Sequence, residues 1–329
     1  MNKFVFTCGD INGIGPEIVI KTLNQITRYK THHKFYFICP SNIFQAATLH
    51  IKPTFKYEIV NQKEQDSSDI VTVINSGTAK QSIGKPTISS GKASYKSLVL
   101  SYELLRRDDA DAVITAPISK TAIKMAGINF SGQTEMFAKW SNTKNYAMTF
   151  LSKKMCATLF TIHNPLQDVS KLLNIKKLDA LVEVIIRTLK TDLQVLKPKI
   201  AVLGLNPHAG ENGIIGKEEI DIISPVIKKY AKSVSIKGPF SSDAFFGSKA
   251  YKNYDMIVGM YHDQVLIPFK LLNFSGGVNY TAGLPIVRTS PDHGVAYDIA
   301  GKFIADESSI LQAFKYAKRI VNNRKKIIG

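Results

Sequence analysis

The sequence predicts an α/β protein, a parallel sheet with helices on its faces. Three observations carry this. Short, fully apolar runs recur along the chain, amphipathic stretches separate them, and polar or glycine-rich clusters follow the runs. A strand covered on both faces reads as a continuous apolar run, and successive parallel strands need a crossover that is usually a helix. At 329 residues the chain is long enough for two domains or for one large α/β unit.

The elements follow in order. Phe4–Thr7 is the first strand. Gly15-Pro16-Glu17 then opens a helix in which Val19, Leu23 and Ile26 recur at spacings of four and three. Proline suits the first helical position because it has no N–H to leave unpaired. Phe35–Cys39 and Ala112–Thr115 are the next strands, and residues 61–92 between them, richer in Ser, Gly, Lys and Asp, read as loops or an excursion. Ala157–Thr161 is a strand, followed by a helix marked by Leu178, Leu181, Ile185, Leu189 and Leu193. After the strand Ile200–Leu205, Glu218-Glu219 start a helix with Ile220, Ile223, Ile227 and Tyr230 behind them, where carboxylates complement the positive end of the helix dipole. Met256–Met260 is a strand, and Ile310, Leu311, Phe314, Ala317 and Val321 give a closing helix. No linker separates these elements, which points to interleaved domains sharing one sheet.

Composition narrows the function classes. A hydrophobic fraction of 44% with 21% charged residues is globular and excludes wholesale disorder. The formal charge of +17 would suit nucleic-acid binding, but the lysines are scattered and the one dense basic run is Arg324-Lys325-Lys326. Without zinc-finger spacing, an RNP motif or a basic helix, no nucleic-acid partner is expected, and the charge reads as a solvated surface that helps attract anions. Cys8, Cys39 and Cys156 form no CxxC pair, which suggests reduced thiols and a cytoplasmic protein. No apolar run approaches membrane-spanning length, so neither secretion nor membrane insertion is expected.

Chemistry gathers where the strands end, the side on which open α/β sheets collect ligands. The strands lead into Gly9-Asp10 with Gly13-Ile14-Gly15, into Ala116-Pro117-Ile118-Ser119-Lys120, into His163-Asn164-Pro165, into Asn206-Pro207-His208-Ala209-Gly210-Glu211, and into His262-Asp263. Lys270, Gly277-Val278-Asn279, Arg288-Thr289-Ser290 and Asp292-His293-Gly294-Val295-Ala296 follow. Such a mixture is costly in a core and suits a small anionic ligand. His163, His208 and His262 would bind Zn²⁺ or a similar ion with one position open if their strands are neighbours; each is equally readable as a hydrogen-bonded loop histidine. Gly13-x-Gly15 lacks the third glycine of a dinucleotide fingerprint, because position 18 is Ile, and a tight turn alone explains its glycines, while Asp292-His293-Gly294 is readable either as a turn or as part of a site.

Taken together and in order, from about residue 4 to residue 320, these motifs with Thr115-Ala116-Pro117, Gly132-Gln133-Thr134-Glu135 and Met260-Tyr261-His262-Asp263-Gln264 resemble the 4-hydroxythreonine-4-phosphate dehydrogenase family. The stretch from Asp292 to Lys302 also looks like the nucleotide-binding loop of isopropylmalate dehydrogenases. The resemblance implies two interleaved α/β domains of the isocitrate/isopropylmalate dehydrogenase type, with the active site in the cleft between them. The expected partition is residues 1–125 with 266–329 on the NAD side, and 126–265 on the metal and dimer side. It implies NAD- or NADP-linked oxidation of 4-(phosphooxy)-L-threonine to a 3-keto acid. That acid loses CO₂ to give 3-amino-2-oxopropyl phosphate, in pyridoxine 5'-phosphate biosynthesis.

By the same resemblance, His163, His208 and His262 hold one divalent cation (zinc, magnesium or cobalt) shared across a homodimer interface. Gln133, Thr134, Lys270, Asn279 and Arg288 contact substrate. Gly13, Asp292, His293, Gly294 and Ala296 are the expected cofactor residues, and Lys270 and Asp243 the expected catalytic ones. Lys and Arg suit phosphate and carboxylate groups. The family usually has histidine where this chain has Gln133, and glutamine bonds but carries no charge. The alternatives are a sibling acting on 4-phosphoerythronate or 4-phosphothreonate, and a phosphate acyltransferase, which has no need of the histidine trio.

Overall fold

The six apolar runs are strands with nearly every residue buried. In the computed structural model, residues 1–29, 32–61, 70–273 and 276–328 are described. Among them are the strands β1 (Lys3–Thr7), β2 (Lys34–Cys39), β3 (Tyr57–Asn61), β4 (Val71–Asn75), β5 (Ala112–Thr115), β6 (Ala147–Leu151), β7 (Ala157–Leu159), β8 (Lys199–Leu203), β9 (Ser235–Phe240), β10 (Met256–Gly259), β11 (Val278–Ala282) and β12 (Val287–Pro291). The α-helices are α1 (Gly15–Thr27), α2 (Ser41–Thr48), α3 (Ile88–Arg106), α4 (Lys120–Met125), α5 (Gln133–Trp140), α6 (Val169–Leu172), α7 (Ile175–Arg187), α8 (Ser224–Tyr230), α9 (Ser242–Gly247), α10 (His262–Leu272) and α11 (Ser308–Ile328). No helix among the described residues is long and apolar enough to cross a membrane.

Two interleaved compact units result, Met1–Trp140 with Ile286–Lys318 and Ser141–Pro285 with Arg319–Gly329. The partition expected from the sequence, 1–125 with 266–329 and 126–265, cuts through both. Residues 126–140 stay with the first unit because α5 is anchored there: the Tyr102 hydroxyl donates to the Trp140 carbonyl at 2.6 Å, and the Tyr102 and Phe137 rings meet at 6.2 Å. Residues 266–285 belong to the second, where Phe269 packs on Phe150 and β11 pairs with β6.

In the first unit the strand order is β3-β4-β2-β1-β5-β12, every neighbour parallel. Its core joins β1 to α11 through Phe4, whose ring stands edge-on to Phe314 at 5.1 Å. Truncating a buried Phe of this kind costs about 3–5 kcal/mol. The stretch read as loops contains β4, four of whose five residues are buried, and the start of α3; residues 62–69 lie outside the described residues. A Thr87–Ser90 capping box starts α3, satisfying backbone N–H groups that no earlier turn can pair.

The second unit has the order β11-β6-β7-β10-β8-β9. Here the sheet is not wholly parallel, since β6 runs against both its neighbours. The expected helix through Leu193 is α7 followed by a wider π turn, Thr188–Asp192. A second such turn, Glu219–Ile223, precedes α8.

Candidate active site

In the first unit the loops after β1, β5 and β12 meet. Asp10 N–H donates to the Pro117 carbonyl at 2.8 Å. Gly9 has φ +62, and a Cβ there would lie 2.4 Å from the Pro117 oxygen, so only glycine fits both the backbone and the space. The buried Asp10 carboxylate accepts from Asn12 N–H at 2.9 Å, from the Tyr297 hydroxyl at 2.8 Å and from the Ser90 hydroxyl at 3.2 Å. Burial raises its pKa, and those three donors offset only part of the effect.

Tyr297 thereby ties the 292–297 loop to the β1–α1 loop. Ile14 N–H also donates to the Val295 carbonyl at 3.1 Å, and a Cβ on Gly13 would stand 2.5 Å from that oxygen. The expected cofactor residues Gly13, Asp292, His293, Gly294 and Ala296 are therefore brought together. His293 and Gly294 are exposed, and a Cβ at Gly294 would meet open space.

Arg288 lies inside β12, opposite Val113 of β5, and is 2% exposed. Its Nε and Nη2 donate to Thr115 Oγ1 at 3.2 and 2.9 Å, its Nη1 to Thr134 Oγ1 at 3.4 Å, and its Nη2 to Gln133 Oε1 at 3.0 Å. Burial pulls the guanidinium pKa down to about 10, although the Glu135 carboxylate works the other way. A planar guanidinium held in place by side-chain oxygens is a rigid set of donors for an oxyanion.

In the second unit, His163 follows β7 and His262 opens α10, with ring centroids 6.1 Å apart. His262 Nδ1 faces Asp263 Oδ1 at 2.7 Å, which favours the tautomer that leaves Nε2 as the acceptor or ligand. Both rings line a cavity of about 430 Å³ together with Tyr261 and Asn164. His208 does not join them: among the described residues, no three His, Cys, Asp or Glu side chains stand together as a metal group.

The His208 turn is itself unusual. Residues 208–212 all have left-handed φ values between 43 and 82, and four of them are not glycine. For residues with a Cβ this conformation is costly. The sequence places Glu219 at a helix start, opposing a dipole. Instead its buried carboxylate accepts from Leu205 and Asn206 N–H at 2.7 and 2.8 Å, and from the Asn206 amide at 3.0 Å, holding the entry to the turn. Gln264 was legible only as part of a motif. It donates to the Gly204 carbonyl and to Ser242 Oγ, and accepts Met260 N–H, so one amide ties together the chain after β8, β10 and β9.

Asp243 is exposed in the first turn of α9. The Ser241 hydroxyl lowers its pKa, and the Ala244 N–H adds to the effect. Lys270 is exposed in the last turn of α10. Asn279 is on β11, and its Oδ1 is buried with no hydrogen-bond partner among the described residues. A buried orphan acceptor is destabilising unless a ligand supplies its donor.

The family model described as "Pyridoxal phosphate biosynthetic protein PdxA" matches residues 30–317. A 4-hydroxythreonine-4-phosphate dehydrogenase from Sulfurihydrogenibium sp. is 40% identical over 330 residues, covering 99% of this chain and 100% of that one. The crystal structure of a 4-hydroxythreonine-4-phosphate dehydrogenase from Klebsiella pneumoniae superposes with a TM-score of 0.81 at 33% identity, covering 97% and 98% of the two chains. Isocitrate dehydrogenase from Methylococcus capsulatus, at 11% identity and a TM-score of 0.53 over 99% and 87% of the chains, shares the fold alone.

Proposed function

The chain belongs to the PdxA family of pyridoxal phosphate biosynthetic proteins, and on that premise we propose that it oxidises the C3 hydroxyl of 4-(phosphooxy)-L-threonine. The 3-keto acid formed loses CO₂ to give 3-amino-2-oxopropyl phosphate. The observation that carries this reading is Arg288, a guanidinium buried in a strand and surrounded by Thr115, Thr134 and Gln133 oxygens. Such a group holds an oxyanion at a fixed position. Thr134, Lys270, Asn279 and Arg288 are the substrate contacts in this reading. Asn279 Oδ1 accepts a donor such as the substrate ammonium or hydroxyl.

Gly13, Asp292, His293, Gly294 and Ala296 would hold NAD or NADP, for which the open space at Gly294 leaves room. A nicotinamide bound there would supply an acceptor for the hydride of C3. His163, His208 and His262 would hold one divalent cation, zinc, magnesium or cobalt. Neutral imidazoles suit it, and the separation of His208 from the other two within one chain fits a site shared between two copies in a homodimer. Such a cation would supply positive charge to stabilise a developing alkoxide. Lys270 and Asp243 are the candidates to take the hydroxyl proton, Asp243 being held ionised by Ser241.

NADH formation should be compared for 4-(phosphooxy)-L-threonine, 4-phosphoerythronate and 4-phosphothreonate, with and without chelator. Expected are preference for the first substrate and loss of turnover on chelation, restored by added metal. A tenfold preference for the erythronate would assign the chain to the sibling activity, and full turnover after exhaustive chelation would remove the metal.

A further inference from the structure

Resting on the reading of Arg288 as the holder of the substrate's anionic group, we propose that Gln133 is a positioning residue whose amide bridges the Ala116 carbonyl and the Arg288 guanidinium. In this role it fixes where the anion is held by acting on the guanidinium. Gln133 Nε2 donates to the Ala116 oxygen at 3.1 Å, and Gln133 Oε1 accepts from Arg288 Nη2 at 3.0 Å. The orientation of the amide follows from its partners. A guanidinium only donates and a carbonyl only accepts, so the oxygen must face Arg288 and the nitrogen Ala116.

Both ends of this bridge are anchored. Ala116 N–H donates to Thr7 Oγ1 at 3.2 Å, tying the carbonyl to β1, and Gln133 is the first residue of α5. Thr115 Oγ1 takes Nε and Nη2 of the same guanidinium, so Thr115 and Gln133 together set the position of that flat group.

The residue type matters as much as the place. Glutamate would set an acceptor against the Ala116 carbonyl and neutralise part of the charge meant for the ligand. A neutral imidazole could donate to Ala116 and accept from Arg288. An imidazolium has only donors and would push Nη2 away. An amide gives the same geometry at every working pH.

The test is the steady-state kinetics of wild type, Gln133→Met, Gln133→His, Arg288→Ala and the Gln133→Met/Arg288→Ala double variant, with 4-(phosphooxy)-L-threonine between about pH 6 and 8.5. Gln133→Met should raise KM about tenfold with kcat within about threefold, the loss of one hydrogen bond to a charged group. Gln133→His should match wild type at the alkaline end, its KM rising as the pH falls and the imidazole gains its proton. In the Arg288→Ala background Gln133→Met should change KM less than about twofold, because it acts through the missing guanidinium.

A wild-type KM in Gln133→Met, or an undiminished effect of it beside Arg288→Ala, overturns the inference. A substrate-free reading separates this from failure of the proposed function. In ¹⁵N-edited spectra, rotation about the Arg288 Cζ–Nη2 bond should be faster in Gln133→Met than in wild type. Faster rotation in a protein that oxidises none of the phosphorylated acids removes the function and keeps the bridge. Unchanged rotation beside wild-type kinetics removes the bridge.

Discussion

Two arginines, one buried and one half-buried, one in each unit, are held in opposite ways. Arg288 donates to the hydroxyls of Thr115 and Thr134 and to an amide, and burial pulls its pKa down to about 10. For Arg324, burial also acts downward. The Tyr280 oxygen and the Asp192 carboxylate outweigh it and raise the guanidinium above the usual arginine range. Its Nε lies 2.7 Å from Asp192 Oδ1, its Nη2 donates to Tyr280 at 3.0 Å, and further bonds reach the Leu284 and Pro285 carbonyls. The second arginine is satisfied by its own chain and fastens α11 to the second unit. The first is bonded to hydroxyls and an amide, a donor set that suits the oxyanion proposed for it.

Breaking the fastened pair should give the largest effect. Arg324→Leu leaves the Asp192 carboxylate buried without its countercharge, and urea unfolding should show a loss of about 3–5 kcal/mol. Turnover per folded molecule should stay within about twofold of wild type. Arg288→Ala should behave the other way, with kcat/KM for the phosphorylated substrate falling roughly a hundredfold, about 2–4 kcal/mol of transition-state binding. Its unfolding midpoint should fall less than that of Arg324→Leu. Tyr280→Phe sharpens the contrast at the small end. It removes the bond of 2.6 Å to Asp192 Oδ2 and the one accepted from Arg324 Nη2, while Arg324 keeps the carboxylate paired. A loss of about 1–2 kcal/mol is expected, with kinetics unchanged.

What the sequence revealed follows the same division. The strands β1, β2, β5, β7, β8 and β10 are continuous apolar runs, legible because a strand covered on both faces has no polar side to hide. β12 is equally buried but carries Arg288, Thr289 and Ser290, so its sequence reads as site chemistry and not as a strand. β11 was obscured likewise by Gly277-Val278-Asn279. The importance of Glu219 was invisible, because a carboxylate at a helix start has an ordinary explanation in the dipole. Only the three-dimensional path of residues 205–212 shows it facing the loop. Gln133 stood out as a departure from a family pattern, yet its two partners, Ala116 and Arg288, are 17 and 155 residues away in sequence.

The most direct measurement is a calorimetric titration of wild type and Arg288→Ala with 4-(phosphooxy)-L-threonine, with urea unfolding of the same preparations. The expected result is binding weakened by about a hundredfold in the variant, with stability lost by less than in Arg324→Leu. Binding as tight as wild type, or a stability loss equal to that of Arg324→Leu with affinity per folded molecule unchanged, would contradict the assignment of Arg288 to the ligand.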